Sequence, residues 1–307
     1  MLTVALSDDA EPEWAAWQVS RRKAHWFPLT IAKENEPLLQ PLEASWPIAA
    51  LRLRHVLLVG AGSIGSAAAV ALAGYGVRKL TIIDPQHLEP HNFARHQLNR
   101  RLTGRRKATA VRDYLLERDP DLQIDAHVLD VVRDADAIRP MLRETDIVLC
   151  GTDGVGSRRA TNHLAAWART ESVFACVLED GAYGEILRVR PGRTGCLQCD
   201  RDVLYEAGAF DPEPQLDRDY TLGGGARPMT AVAGDLALVG HLAAKIVVAS
   251  LLERVGARAQ ALPGDALTIA LAPVPGLRAP FDLERCLDVR WRDLPRPRTT
   301  CPSCGMP

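Results

Sequence analysis

The sequence predicts an α/β fold: a doubly wound, mostly parallel sheet followed by a smaller antiparallel extension stapled through cysteines. Three observations predict it. The short apolar run His55 to Val59, and Val77 to Ile83 after it, read as buried strands, the first of them on both faces. From residue 55 to residue 176 such runs alternate with helical stretches, the pattern of parallel strands joined by crossover helices. Beyond residue 181 the alternation stops, and two Cys-x-x-Cys pairs, Cys196/Cys199 and Cys301/Cys304, bracket short strand candidates.

The chain has 307 residues, 47% hydrophobic and 24% charged, enough for one large domain with additions. Its 37 basic and 38 acidic residues leave a net charge of −1, so nothing global points to nucleic acid or to a membrane surface. There is no basic-then-apolar leader, and no apolar run reaches the roughly 18 residues of a membrane span. A cytoplasmic protein is expected. In that compartment seven cysteines, four of them in Cys-x-x-Cys pairs, suit metal ligation better than disulfides.

Residues 1–50 form an N-terminal extension holding Trp14, Trp17, Trp26 and Trp46. Glu13 to Lys23 is expected to be a helix with Trp14 and Trp17 on one face. That face packs on its own domain or a dimer mate, or docks a partner protein. Residues 51–180 form the nucleotide-binding core. Its first strand ends in Gly60-Ala61-Gly62-Ser63-Ile64-Gly65, a helix with small residues from Ser66 to Gly74 follows, and Asp84 closes the next strand. Glycines without Cβ let backbone N–H groups and a helix N-terminus face a phosphate, and the acid accepts from ribose hydroxyls. Nicotinamide enzymes share this much. Asn92, Arg95, Lys107 and Asp153 add a charged set that a dinucleotide does not need and a triphosphate does. Further strands are expected at His127 to Val131, Asp146 to Cys150 and Ser172 to Cys176. Helices at Lys107 to Arg118, Ala135 to Glu144 and Ser157 to Thr170 connect them.

Residues 181–307 make up the C-terminal part. Gly184 to Arg190 has antiparallel-strand character, Asp200 to Arg227 reads as loop, and Met229 to Arg254 is a long apolar helix. Short strands are expected at Leu267 to Leu271 and Leu287 to Trp291. Cys196, Cys199, Cys301 and Cys304 suit a tetrahedral, structural Zn²⁺ site with two ligands from each pair; two redox-active or unpaired motifs are the other reading. Cys150 and Cys176 end buried strands and read as core, which leaves Cys286 as the remaining thiol.

The glycine turn with Asp84, Asn92, Arg95 and Lys107, and the stretch CGTDGVGSRRATN carrying Asp153, Arg158 and Asn162, resemble the ThiF/MoeB/ubiquitin-activating superfamily. Its members adenylate the C-terminal carboxylate of small ubiquitin-like proteins. The resemblance covers residues 55–304 and implies a Rossmann-like sheet of the ThiF/MoeB type, ATP and Mg²⁺ as cofactors, a homodimer, and a ubiquitin-like or sulfur-carrier protein with a Gly-Gly tail as partner. A conjugating enzyme or another acceptor protein would follow. It also implies that Gly60, Gly62 and Gly65 cradle the nucleotide and Asp84 holds the ribose. Asn92, Arg95 and Lys107 would clamp the triphosphate, Asp153 would hold Mg²⁺, and the Gly223 to Pro228 loop would border the tail channel. An aspartate that merely caps the following helix is the alternative for Asp153.

The chain departs from the family pattern in four places. Gln86 stands where an Asp is common, and His96 where a Gln is common. No cysteine occupies the loop before the long helix. No RYxRQ-like segment precedes residue 50, and Arg21 and Arg22 are the nearest stand-ins for its arginine. Three other functions stay open: adenylation of a peptide or tRNA-borne carboxylate, an NAD-dependent oxidoreductase, and a non-catalytic scaffold.

Overall fold

A computed structural model describes residues 2–7, 10–29, 37–178, 181–209, 231–257 and 260–305. They fall into two compact units, residues 1–40 and 41–307.

The first unit is a three-stranded antiparallel sheet of β1 (Leu2–Ser7), β2 (Ala10–Val19) and β3 (Ala24–Phe27). The expected helix over Glu13 to Lys23 is therefore a strand and a turn. Two tryptophans three apart fit a helical face, but the chain uses the other periodicity: Trp17 lies directly opposite Trp26 in the β2–β3 register and Trp14 points to the other face. The Trp17 indole N–H also donates to the Thr3 hydroxyl across β1 at 3.2 Å. Arg21 and Arg22 sit in the exposed turn between β2 and β3.

Residues 41–50 pack with the second unit. The Trp46 indole donates to the Tyr75 carbonyl at 2.8 Å, and Ile48 is buried at the start of α1 (Ile48–Arg52). The second unit is built on an eight-stranded sheet whose parallel part comprises β4 (His55–Val59), β5 (Lys79–Ile83), β6 (Gln123–His127), β7 (Ile147–Cys150) and β8 (Glu171–Leu178). The connecting helices are α2 (Ser63–Tyr75), α3 (Lys107–Arg118), α4 (Ala135–Arg143) and α5 (Val155–Trp167). After β8 the chain turns antiparallel through β9 (Tyr183–Val189), β10 (Ala266–Ala270) and β11 (Val289–Arg292), interrupted by α6 (Leu197–Glu206) and α7 (Ala233–Glu253). The sheet order is β11-β10-β9-β8-β7-β4-β5-β6. The chain leaves β4 first to one side and later to the other, so a crevice opens at the carboxyl ends of β4, β5 and β7.

Close packing explains the small residues after the glycine turn. A Cβ on Gly240 of α7 would lie 2.6 Å from the Ile64 carbonyl and 3.0 Å from Ala67, so α7 presses on α2 where both lack bulk. By length and composition α7 could cross a membrane (mean hydropathy 1.8), contrary to the expectation that no such stretch exists. Lys245 and His241 interrupt the apolar run without lowering its average enough. Here 67% of it is buried inside the unit, as a core helix.

Two other expectations shift. The apolar stretch His127 to Val131 is mostly not strand: β6 ends at His127, and Leu129 and Val131 line the crevice instead. The predicted loop from Asp200 begins as helix, since α6 runs to Glu206 with Cys196 at its N-cap.

Candidate active site

The crevice holds a cavity of about 370 Å³. Its floor is the turn after β4. Gly60 adopts φ +93°, and a Cβ there would come within 2.7 Å of Thr152; a Cβ on Gly65 would sit 1.9 Å from the Gly60 carbonyl. Neither position tolerates a side chain, which is how α2 is brought up under the turn. Gly62, the N-cap of α2, differs: a Cβ there meets nothing within 4 Å because it would enter the cavity itself. Backbone N–H groups at a helix start, with space in front of them, form a cradle that fits a phosphate.

Asp84 follows β5 and is 5% exposed. One carboxylate oxygen accepts from Ala61 N–H at 2.7 Å and the other from Gln86 N–H at 2.8 Å, so the acid braces the glycine turn. Burial raises its pKa, outweighing Lys107 and the two N–H donors, and Asp153 pushes it further up. Lys107 opens α3, is 8% exposed, and donates from Nζ to Gln86 Oε1 at 2.7 Å. Its backbone N–H also donates to the Gln86 carbonyl at 2.9 Å. Gln86 thus links the acid to the cation. Arg95 forms part of the same wall.

Asp153 stands on the opposite lip, after β7. The helix-capping alternative does not apply to it. The N-cap of α5 is Gly154, without a side-chain bond, and the Asp153 carboxylate is hydrogen-bonded to none of the described residues. Gly60, Gly62, Asp84, Arg95, Lys107 and Asp153 therefore border one cavity, with Gly65 beneath it. Leu129, Val131 and Val132 supply an apolar wall on which a planar base could rest.

Asn92 is placed differently. Its Oδ1 accepts from Glu89 N–H at 3.0 Å, capping the short 3₁₀ turn Pro90–Ala94, and it is not among the residues bordering the cavity. The Asp153, Arg158 and Asn162 segment also divides. The Arg158 guanidinium is buried, donating to the Ala175 carbonyl at 3.2 Å, and Asn162 Oδ1 accepts from Leu197 N–H at 3.0 Å beside the cysteine cluster.

Sequence reasoning missed His96 and Gln86 as parts of the site. His96 Nε2 lies 2.8 Å from the Ala61 carbonyl, while Leu98 N–H donates to Nδ1 at 3.2 Å. An accepting Nδ1 requires the proton on Nε2, so a neutral ring ties the Arg95 segment to the glycine turn. Burial lowers its pKa to about 4. The only signal available was that both residues depart from a familiar pattern.

Cys196, Cys199, Cys301 and Cys304 bring their four Sγ atoms within 4.8 Å of one another. Cys196 to Cys301 is 3.6 Å and Cys199 to Cys304 is 3.5 Å, well beyond the roughly 2.05 Å of a disulfide. Thiolates about 2.3 Å from a tetrahedral zinc stand about 3.8 Å apart, so the donor set fits that ion with no open position. Cys176 borders the same cavity as Asp84 and Lys107, but burial pushes its thiol up to about 11. Cys286 is exposed. The Gly223 to Pro228 loop lies outside the described residues.

The ThiF family profile matches residues 45–261. The chain is 31% identical over 163 residues to the sulfur carrier protein ThiS adenylyltransferase of Bacillus subtilis, covering 52% of this chain and 47% of that one. It is 28% identical over 249 residues to protein HesA of Leptolyngbya boryana, covering 78% and 83%. The chain spans between 32% and 47% of the first curated relatives it matches. A crystal structure of E. coli MccB with AMPCPP and MccA superposes with a TM-score of 0.62 at 18% identity, over 84% of this chain and 68% of that one, which supports the fold. With a profile match across most of its length, the chain belongs to the ThiF family.

Proposed function

We propose that this protein adenylates a C-terminal carboxylate with ATP, giving an acyl-adenylate and pyrophosphate. One observation carries the reading: Asp84, Arg95, Lys107 and Asp153 converge on a single cavity floored by glycine. A carboxylate oxygen forms a bond to the α-phosphorus, and the bond to the β-phosphate bridging oxygen breaks with its electron pair leaving on pyrophosphate. The Gly62 turn and the start of α2 receive phosphate oxygens through N–H donors. Asp84 accepts from the ribose hydroxyls. Arg95 and Lys107 face the leaving pyrophosphate, where charge builds in the transition state, the arginine as a two-pronged donor and the lysine as a point charge. Asp153 is the carboxylate for Mg²⁺, which when bound neutralises phosphate oxygens. Asn92 acts indirectly, by capping the segment that carries Arg95.

The acceptor is a ubiquitin-like or sulfur-carrier protein with a Gly-Gly tail, in keeping with the name of the Bacillus relative. Among the described residues, the cysteine in the cavity wall is a protonated thiol, which supports an enzyme that stops at the acyl-adenylate or passes it to a partner's amine or thiol. The same observation keeps a peptide carboxylate as the second reading. We further assign residues 1–50 to partner or dimer contact, a homodimer as the working state, the cysteine cluster to structural zinc, and a reducing cytoplasmic setting in which its thiolates survive. Pyrophosphate exchange into ATP tests the reading. It should depend on an added Gly-Gly-ended protein; no exchange with such proteins or with free peptides overturns adenylation, and tight NAD(H) binding unaffected by Lys107→Ala makes the protein a dehydrogenase.

A further inference from the structure

At the other end of β8 from the nucleotide cavity lies a second cavity of about 280 Å³, walled largely by arginines. Glu171 opens β8 there and Cys176 faces the first cavity five residues on, so the two are roughly 17 Å apart at about 3.3 Å per strand residue. The frame of the second cavity is rigid. The buried Arg188 donates to Glu171 at 2.6 Å and to Glu253 at 2.5 Å, and Arg254 donates to the other Glu171 oxygen at 2.8 Å. Both Glu171 oxygens are thereby engaged, and Glu253 is engaged through one of its two.

Three donor groups are left over. Arg190 pairs with Asp265 at 2.6 Å, yet its Nε is buried with no partner. The exposed Arg169 and Arg193 also line the cavity, and their guanidinium groups have no hydrogen-bond or ion-pair partner among the described residues. Their backbones are nonetheless fixed. Arg169 is held at φ +53°, an unfavourable conformation for a side-chain-bearing residue, with its N–H on the Ala166 carbonyl at 3.1 Å. Arg193 sits in a turn closed by Arg190 N–H on the Thr194 hydroxyl at 2.9 Å. Five guanidinium groups thus face two carboxylates, with Asp265 behind, leaving two positive charges in excess around a concave space.

We propose that this cavity is an oxyanion site for a phosphate group carrying two negative charges. Phosphate offers several strong acceptor oxygens to planar guanidinium forks and cancels the surplus charge, and it gives the orphaned Arg190 Nε an acceptor. The site is independent of the nucleotide reading. Its source is either free phosphate or a phosphate carried on a larger molecule, and the shared chemistry is the phosphoryl oxyanion.

Calorimetric titration of the full chain at low ionic strength, where surface charge is least screened, tests this with inorganic phosphate, O-phosphoserine and acetate as probes. Wild type and Lys107→Ala should share one phosphate or phosphoserine site of equal affinity, the tighter of the two probes identifying the source. The double variant Arg169→Glu/Arg193→Glu should bind at least tenfold more weakly, with its unfolding midpoint in phosphate-free buffer preserved. Should that variant lose its fold, Arg169→Ala/Arg193→Ala takes its place with the same expected weakening. No binding to wild type, binding untouched by the arginine changes, binding abolished by Lys107→Ala, or acetate bound as tightly as phosphate would each overturn the assignment.

Discussion

Two buried charge clusters in the second unit are balanced in opposite ways. In the C-terminal extension Glu185 and Asp200 are fully buried, yet Arg201 donates to both and Arg292 grips Asp200 at 2.5 and 2.9 Å. Burial alone would raise the Glu185 pKa, but Arg201, Arg292 and Arg158 outweigh it and hold the carboxyl below its usual range. In the cavity at the end of β4, burial wins over Lys107 and the Asp84 pKa goes up, while Lys107 rests on the neutral amide of Gln86. The first cluster is closed on itself. The second is open to a cavity, and its lysine is hydrogen-bonded to an amide and not to a carboxylate. Neutral pairing of a buried cation is thus the better marker of a binding site than buried charge as such.

The comparison breaks most readily at the metal. If zinc closes the extension, Cys199→Ser should lose one equivalent of zinc per chain by elemental analysis and lower the unfolding midpoint more than any other substitution named here. Structural zinc contributes about 10 kcal/mol or more in isolated zinc-finger peptides. A variant with unchanged metal content and melting would leave the extension held by its ion pairs alone.

A matched pair of variants sharpens the contrast. Glu185→Ala leaves Arg201 buried without its main partner and should cost about 3–5 kcal/mol of stability, read by denaturant unfolding. Lys107→Ala should leave stability nearly unchanged and lower pyrophosphate exchange about 10²–10³-fold, the size seen when one transition-state donor is removed. Reversed outcomes would mean that the cavity cluster is the structural one.

What the sequence disclosed follows the same division. The parallel core, Lys107 at the first turn of α3, and the four cysteines were legible, because buried strands, glycine turns and metal spacing impose residue types directly. The strand at Ala10–Val19 was not, because Trp14 and Trp17, three apart, share a face only in a helix, and pairing with β1 and β3 overrides that spacing. Leu129 and Val131 were mistaken for strand because an apolar residue facing a cavity has the same composition as one facing a core. Nor was the partition of Asp153, Arg158 and Asn162 visible. Asp153 before α5, and Arg158 and Asn162 on successive turns of it, serve a cavity, a strand and a cysteine cluster, and only tertiary contacts separate them.

Gln86→Glu tests whether neutrality at this position matters. The substitution preserves shape and places a carboxylate at the 2.7 Å contact with Lys107 Nζ, so the lysine charge is cancelled within the protein. The expected result is about a tenfold rise in the KM for ATP, near 1.4 kcal/mol, with unfolding unaffected. Gln86→Asp, one methylene shorter, should do less because it cannot reach as far. An unchanged KM in Gln86→Glu would make the amide an incidental neighbour.

The smallest effect separates His96 from the charged groups around it. Its pKa falls from 6.5 to about 4 in the folded protein, chiefly by burial, opposed by the bond to the Ala61 carbonyl and helped by Lys107. Between those two pH values the unfolded chain binds a proton that the folded one refuses, so stability must decline as pH drops through this window. From pH 6.5 to 5.5 the loss is about 1 kcal/mol, and below about pH 4 the histidine contributes no further slope. Asp84, with its pKa raised by burial, takes up a proton more readily folded than unfolded and therefore works in the opposite sense above its unfolded pKa. His96→Gln keeps a donor for the Ala61 carbonyl and removes the titration. Its stability, measured by denaturant at pH 6.5 and 5.5, should lose this component of the slope while the exchange activity at pH 7 stays within a few-fold. An unaltered slope would mean that the imidazole is reached by water and that the link between the Arg95 segment and the glycine turn is looser than the 2.8 Å contact implies.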